Sequence, residues 1–395
     1  MPEAVKLWSP GFILLNLQFM LVACVTALFF PFHAYLGHLG FSQEAAGFII
    51  GADALASLVA QPLVSVLIHA GTARRWLAGG VATFSTALFL QGQYTGFLPL
   101  VGARLLQGAG FSCVIAALIT LIAQSIPPER SGQAFGWISL VRLVPYAAVP
   151  PLLDFFGLLP AAFGRMLEFA ALLALAPLAM VFFAHCPDGA RPVTVAPGMT
   201  GIRDSLRTRP VALTLLAGLL LYGGYSAAFY FLRELGTALG MANSGMFFTI
   251  ATVTMMAVRL FGGLIFDRCD KVRLCALGFL VIATSYATLP LAKSPSVFFG
   301  LAFSIGLGWG VVMPLQSAVM FDISPAASRG LNQNLLLVTM QAGFFLGPAI
   351  GGALLAQMGF AGLFAGAAVA AAAAALATAG SRSGGRMRGE QPYER

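Results

Sequence analysis

The chain has 395 residues, of which 59% are hydrophobic and only 9% charged, against about 45–50% and about 25% in soluble globular proteins. With a mean hydropathy of +0.88, it is excluded from the soluble class and reads as a protein that crosses a membrane many times. The net charge of +8 could suggest a nucleic-acid partner, but its placement in loops on one side of the spans makes it a matter of topology.

All spans are expected to be α-helices, because backbone polar groups in lipid have to be satisfied within their own segment. A β-barrel is excluded, since the apolar runs are continuous and do not alternate. At about 20 residues per span for a hydrocarbon core of about 30 Å, twelve fit. In the first half they are 11–32, 44–68, 76–95, 98–124, 133–155 and 161–184. In the second half they are 210–232, 244–266, 274–292, 296–321, 331–355 and 360–379. No small-residue cleavage site follows the first span, so it is expected to stay in the mature chain.

Residues 1–184 and 210–379 thus form two six-helix bundles, joined by a linker at 185–209 with Pro187, Pro192, Pro197 and several Arg. Residues 380–395 are a polar, Gly- and Arg-rich tail, expected to be disordered. Arg74, Arg75, Arg130, Arg203, Arg207, Lys271, Arg273 and Arg329 fall on the side of this linker and of both termini. That bias places the termini in the cytoplasm.

The halves are in register at an offset of 198: Gly47 falls on Gly245, Gly80 on Gly278, Gly108 on Gly306, Gly110 on Gly308 and Pro150 on Pro348. The matches are mostly Gly and Pro, residues selected by backbone geometry. Repeats of this kind build several transporter folds, with the substrate held between them near the bilayer midplane.

A few costly side chains lie inside the spans. Asp53 is the one acid deep in any span, ~14 Å in from Glu44, and Arg104 lies ~8 Å in from Pro99 at 1.5 Å per residue. An Arg in hydrocarbon costs ~2.5–3.5 kcal/mol on insertion scales, so a pair with Asp53 is expected, either as a proton-exchanging site or as a structural ion pair. Arg142 and Arg259 lie ~15 Å and ~12 Å in from the same face. With one deep acid against three cations, an anionic substrate, a carboxylate above all, would relieve the charge through bidentate pairing. The alternative is that Arg142 snorkels and Arg259 serves a gate. Gln18, Tyr146, Tyr222, Tyr225, Gln316 and Gln341 are further candidates for lining a binding site. His33 and His38 read as surface groups, and the 33 Phe as lipid-facing bulk. The scattered cysteines indicate neither disulfides nor a metal site.

Two motifs carry a resemblance. Gly263 to Arg273 reads G-L-I-F-D-R-C-D-K-V-R, and Arg104 to Gly110 reads R-L-L-Q-G-A-G. These resemble the loop motif G-x-x-x-D-R-x-x-[RK]-x-[RK] and the fourth-helix pattern R-x-x-Q-G-x-G of the major facilitator superfamily. The resemblance covers residues 10–380 and implies an all-α membrane protein of twelve transmembrane helices in two pseudo-symmetric bundles. It implies a gate at Gly263, Asp267, Arg268 and Lys271, and a proton-coupling role for Arg104, with Asp53 as the proposed proton carrier. The first-half copy of the loop motif is degraded, with His69 in the place of the acid. Gly343 to Gly352 resembles the family's antiporter motif, G-x-x-x-G-P-x-x-G-G, but lies in the eleventh span and not the fifth, and so reads as helix packing with only a slight hint of efflux.

The expected function is secondary active transport of a small organic metabolite, favoured to be anionic, coupled to protons and leaning to efflux. The expected setting is a bacterial inner membrane, with the chain acting as a monomer among lipids. Two alternatives stay open: a proton-coupled importer of a monocarboxylate or similar acid, and a non-transporting membrane receptor. With no phosphate-cradling loop, metal cluster or hydrolytic triad in the sequence, no cofactor, metal, nucleic acid or enzymatic activity is expected.

Overall fold

A computed structural model describes residues 8–69, 71–126, 130–157, 160–181, 199–262, 266, 269–325 and 328–381. The first half consists of α1 (Pro10–Ala27), α2 (Phe32–His38), α3 (Gln43–Leu67), α4 (Ala73–Gln93), α5 (Phe97–Ser125), α6 (Ser131–Val141), α7 (Val144–Phe155) and α8 (Phe163–Val181). A short helix, α9 (Met199–Arg207), lies within the stretch expected as linker and leads into the second half. There follow α10 (Arg209–Ala238), α11 (Met246–Phe261), α12 (Lys271–Thr288), α13 (Pro295–Ile323) and α14 (Arg329–Gly380). No strand occurs among the described residues, and eight stretches of them are long and apolar enough to cross a membrane.

Each of the twelve expected spans coincides with one helix or a broken pair. The first is α1 and α2 together, because Pro31 has no N–H to return to the carbonyl of Ala27; it also runs past its expected end, to His38. The fifth is α6 and α7, parted at Arg142 and Leu143, where Pro145 likewise lacks the N–H that Val141 would accept. Conversely, the last two spans form one continuous helical run, turned only at Gly359, whose φ of 65° suits glycine. Starts are specified locally: Ser9, Ser42, Asp270 and Ser294 cap α1, α3, α12 and α13 by accepting from a backbone N–H three residues on.

Alternate spans run up and down, so the described chain enters at residue 8 and leaves at residue 381 on one side, the terminal side; the opposite side is the far side. Each half has its own core. Phe12, Leu15, Leu77, Val114 and Leu118 cluster in the first half, and Phe247, Phe279, Phe298, Trp309 and Phe364 in the second. The phenylalanines are only in part the lipid-facing bulk expected: Phe155, Phe156, Phe169 and Phe261 are exposed, whereas Phe29, Phe30, Phe32, Phe163, Phe231, Phe247 and Phe248 are among the largest fully buried side chains. Many meet edge-on, as Phe30 does with Phe229 and Phe248 across the two halves, an arrangement favoured by the ring quadrupole.

Among the described residues the halves meet mainly along two helix pairs, α3 with α14 and α7 with α11, with a smaller contact of α2 on α10. The repeat builds both pairs. A Cβ on Gly47 would collide with the carbonyl of Pro348, and one on Gly245 with that of Pro150; these two contacts are the same contact, 198 residues apart. The matched Gly and Pro of the sequence are therefore where bare backbone of one half lies against bare backbone of the other. Within the halves the rule repeats, with Gly108 against the carbonyl of Asp53 and Gly306 against that of Ala251. Both seams are tight at the far side. Towards the terminal side α6 packs on α1 and α7, while α7 alone among the two packs broadly on α11.

Candidate functional site

Arg104, on α5, is fully buried and meets Asp53 of α3 at 2.6 Å between Nη2 and Oδ1. The expected pair forms because Gly108 has no side chain to hold α5 away from α3, and Ser57 Oγ donates to the Gly108 carbonyl at 3.0 Å. The rest of the guanidinium is also satisfied. Nε donates to the carbonyl of Ile49 at 3.2 Å, Nη1 to Gln107 Oε1 at 2.8 Å, and Nη2 to the carbonyl of Ile50. Its carbon lies 4.9 Å and 5.2 Å from the ring centroids of Phe29 and Phe32, a cation–π setting. Asp53 differs: its side chain keeps 29% of its surface exposed. Tyr230 of the second half reaches the same pair.

Arg142 and Arg259 lie where the halves face each other. Arg142 sits at the break between α6 and α7, is exposed, and stacks 4.8 Å from the ring centroid of Phe19. Tyr146, Tyr222 and Tyr225 are its electrostatic neighbours, and Tyr222, Tyr225 and Arg142 are those of Arg259. Arg259 donates from Nη1 to Ser139 Oγ at 3.2 Å across the halves, and from Nη2 to Met313 Sδ at 3.5 Å and Met255 Sδ at 3.8 Å. Its Nε is buried without a hydrogen-bond partner. Among the described residues neither arginine forms an ion pair with a carboxylate. The tyrosines stand on a wall of rings: Tyr225 lies 4.6 Å from Trp309, Tyr222 lies 5.5 Å from Phe344, and Tyr146 lies 5.8 Å from Phe229. Tyr146 Oη also shares a hydrogen bond of 3.0 Å with Thr26 Oγ1.

The amides behave differently from the tyrosines. Gln18 and Gln316 are buried in packing, and Gln341 donates to Gln61 Oε1 at 2.9 Å across the α3–α14 seam. Of the expected gate, Gly263, Asp267 and Arg268 lie outside the described residues. Lys271 is described and pairs with Asp322, 2.8 Å away at the end of α13.

A second polar cluster, at the far side, is not evident from the sequence. Asp154, near the end of α7, accepts from Arg233 Nε at 2.9 Å, Ser244 Oγ at 3.0 Å and the Gly245 N–H at 2.8 Å. Gly245 is the residue capping α11, so a carboxylate of one half caps a helix of the other, where the helix dipole favours it. His33, expected at the surface, is only 4% exposed. It is buried because α2 extends beyond Pro31 and presses the ring, 4.6 Å between centroids, against Phe231 of the second half. The only hint in the sequence is that His33 falls on Phe231 at the repeat offset, which places both beside the axis relating the halves.

Comparison with known proteins agrees with this architecture. The family model for the Major Facilitator Superfamily matches residues 14–331 and 214–384. The chain is similar to the Staphylopine export protein of Staphylococcus aureus, 24% identical over 88% of this chain and 89% of that one. It is also similar to the multi-drug resistance efflux pump PmrA homolog of Lactococcus lactis, 26% identical over 66% of each chain. Among solved structures, the nucleoside transporter NupG superposes with a TM-score of 0.76 at 12% identity, covering 96% of this chain and 100% of that one. Two duplicated six-span halves meeting at paired Gly–Pro contacts, a buried arginine in the fourth span and a family match along nearly the whole length make this chain a member of the Major Facilitator Superfamily, a multi-pass membrane transporter.

Proposed function

We propose that the chain exports a small organic anion across a bacterial inner membrane by alternating access, driven by protons through Asp53 and Arg104. The observation that carries this reading is the pair Arg142 and Arg259: two cations between the halves that, among the described residues, have no carboxylate paired with them. A carboxylate of the substrate would supply the missing charge by bidentate hydrogen bonds, and the tyrosines would offer hydroxyls and ring faces to its body. Asp53 suits proton carriage because it joins a satisfied arginine to an open side. A proton arriving there weakens the pair, and its departure restores it.

The Lys and Arg bias puts the terminal side in the cytoplasm, so the sealed far side faces outward and the site is reached from within. Both named relatives are called export or efflux proteins, which favours the outward direction. Helices α3, α14, α7 and α11 would rock apart at the far side as they close at the other, and a single chain is sufficient for this.

A thermal-shift screen of the purified protein against organic anions tests the reading, because a ligand bound only by the native state raises apparent stability with its concentration. A stabilising carboxylate is expected, with its effect lost in Arg142→Ala and in Arg259→Ala. Full stabilisation by the same compound in both variants would overturn the anion reading.

A further inference from the structure

His33 sits in the far-side seal with both ring nitrogens facing oxygens. Nε2 lies 2.7 Å from Gln43 Oε1, and Nδ1 lies 3.2 Å from Glu234 Oε1. A neutral imidazole has one N–H, whereas the imidazolium has two and satisfies both contacts. Glu234, on α10 of the other half, has no partner for its carboxylate besides His33 among the described residues. Its neighbour Arg233 is turned to Asp154 and does not neutralise it. Around His33, α3 brings the neutral Gln43 with the exposed Glu44 next to it in sequence, the turn at Pro160–Ala162 has no titratable side chain, and α10 brings Glu234 beside Phe231, with Arg233 held by Asp154. On α2 itself, Tyr35 packs on Phe163 and His38 is exposed.

We propose that His33 and Glu234 form a second proton-binding site, assembled only when the far-side seal closes, so that protons on that side hold the transporter shut outwardly. The pair is made of one residue from each half, so parting the halves necessarily dismantles it. Once separated, each group meets water and loses the other as a partner. In the closed state they share a proton in a dry contact, where an unprotonated imidazole would leave a buried carboxylate uncompensated. The sealed state therefore binds one proton more tightly than the open one. By linkage, the sealed fraction rises as pH falls and shrinks as pH rises, by up to about tenfold in the sealed-to-open ratio per pH unit for one proton. This proton acts on access. It returns to the side it came from when the seal opens, and it is separate from the Asp53 and Arg104 pair.

The test is a distance measurement on the full chain in detergent. Spin labels are placed at His38→Cys and Ala238→Cys, exposed positions at the far-side ends of α2 and α10, with the five native cysteines changed to alanine. The short-distance, sealed population is expected to fall severalfold or more between pH 5.5 and pH 8.5. His33→Gln and Glu234→Gln, each near the size of the residue replaced, are expected to flatten that dependence, while Asp53→Asn leaves it in place. A sealed fraction that ignores pH in the parent overturns the proposal, as does a dependence that survives both pair variants. A dependence lost in Asp53→Asn alone assigns it to the other ion pair and overturns it as well.

Discussion

Placed side by side at the offset of 198, the two halves agree in backbone and differ in charge. Gly47 on Pro348 and Gly245 on Pro150 are one contact made twice, and so are Gly108 on Asp53 and Gly306 on Ala251. Yet Asp53 corresponds to Ala251, Arg104 to Ala302, Arg142 to Met340 and Arg259 to Gln61. The duplicated part is the part that lets helices approach and the halves move. Among the described residues the charges follow one copy or the other: the buried Arg104–Asp53 pair lies in the first half, and each half holds one arginine outside any ion pair, Arg142 and Arg259. A symmetric frame thus carries an asymmetric set of charges.

The sharpest way to break that comparison is at the ion pair, which has no counterpart in the second half. Arg104→Ala leaves Asp53 beside a hole and Asp53→Ala leaves a buried guanidinium without its anion, so each is expected to cost about 3 kcal/mol of stability, discounted from fully buried pairs because Asp53 is partly exposed. The double variant is expected to recover part of that loss, and thermal unfolding of the four proteins measures the coupling. Additive losses would mean that the two residues do not act as a pair.

Next come the shared contacts. Gly108→Val and Gly306→Val each push a side chain into a carbonyl of the neighbouring helix and are expected to cost about 1–3 kcal/mol, by similar amounts because the contacts are copies. Unfolding midpoints check this; tolerance at one position alone would show that the repeat is not equally packed.

The smallest effect is expected at the polar cross-links nearest the terminal side. Ser139→Ala removes one acceptor from Arg259 and Gln341→Leu one donor to Gln61, each at about 1 kcal/mol or less. Because Arg259 is tied to Ser139 and Gln61 occupies the equivalent position, the comparison sharpens if both changes loosen the same end of the molecule, read as faster hydrogen exchange in α6 and α11 for the first and in α3 and α14 for the second.

Much of the frame is legible in the sequence because lipid leaves few choices: apolar runs of sufficient length become helices, and matched Gly and Pro mark where backbones touch. The Arg104–Asp53 pair is legible because an arginine in a span is costly and Asp53 is the one acid deep enough in a span to meet it. His33, Asp154 and Glu234 are not legible. Each lies near a span end, where a polar residue ordinarily meets water, and only the docking of the opposite half buries it. The burial of the phenylalanines escapes the sequence too, because an apolar ring is equally suited to lipid and to a neighbouring helix. The breaks at Pro31 and Pro145 were written in the chain, but hydropathy averaged over a span passes across them.

One carboxylate, Asp154, gathers a guanidinium, a hydroxyl and a helix-terminal N–H, all from the opposite half. Such a fastening behaves like a clasp and not like a zipper. Its three bonds converge on one carboxylate, so displacing that single side chain loosens all three at once and frees the far-side ends of α10 and α11 together.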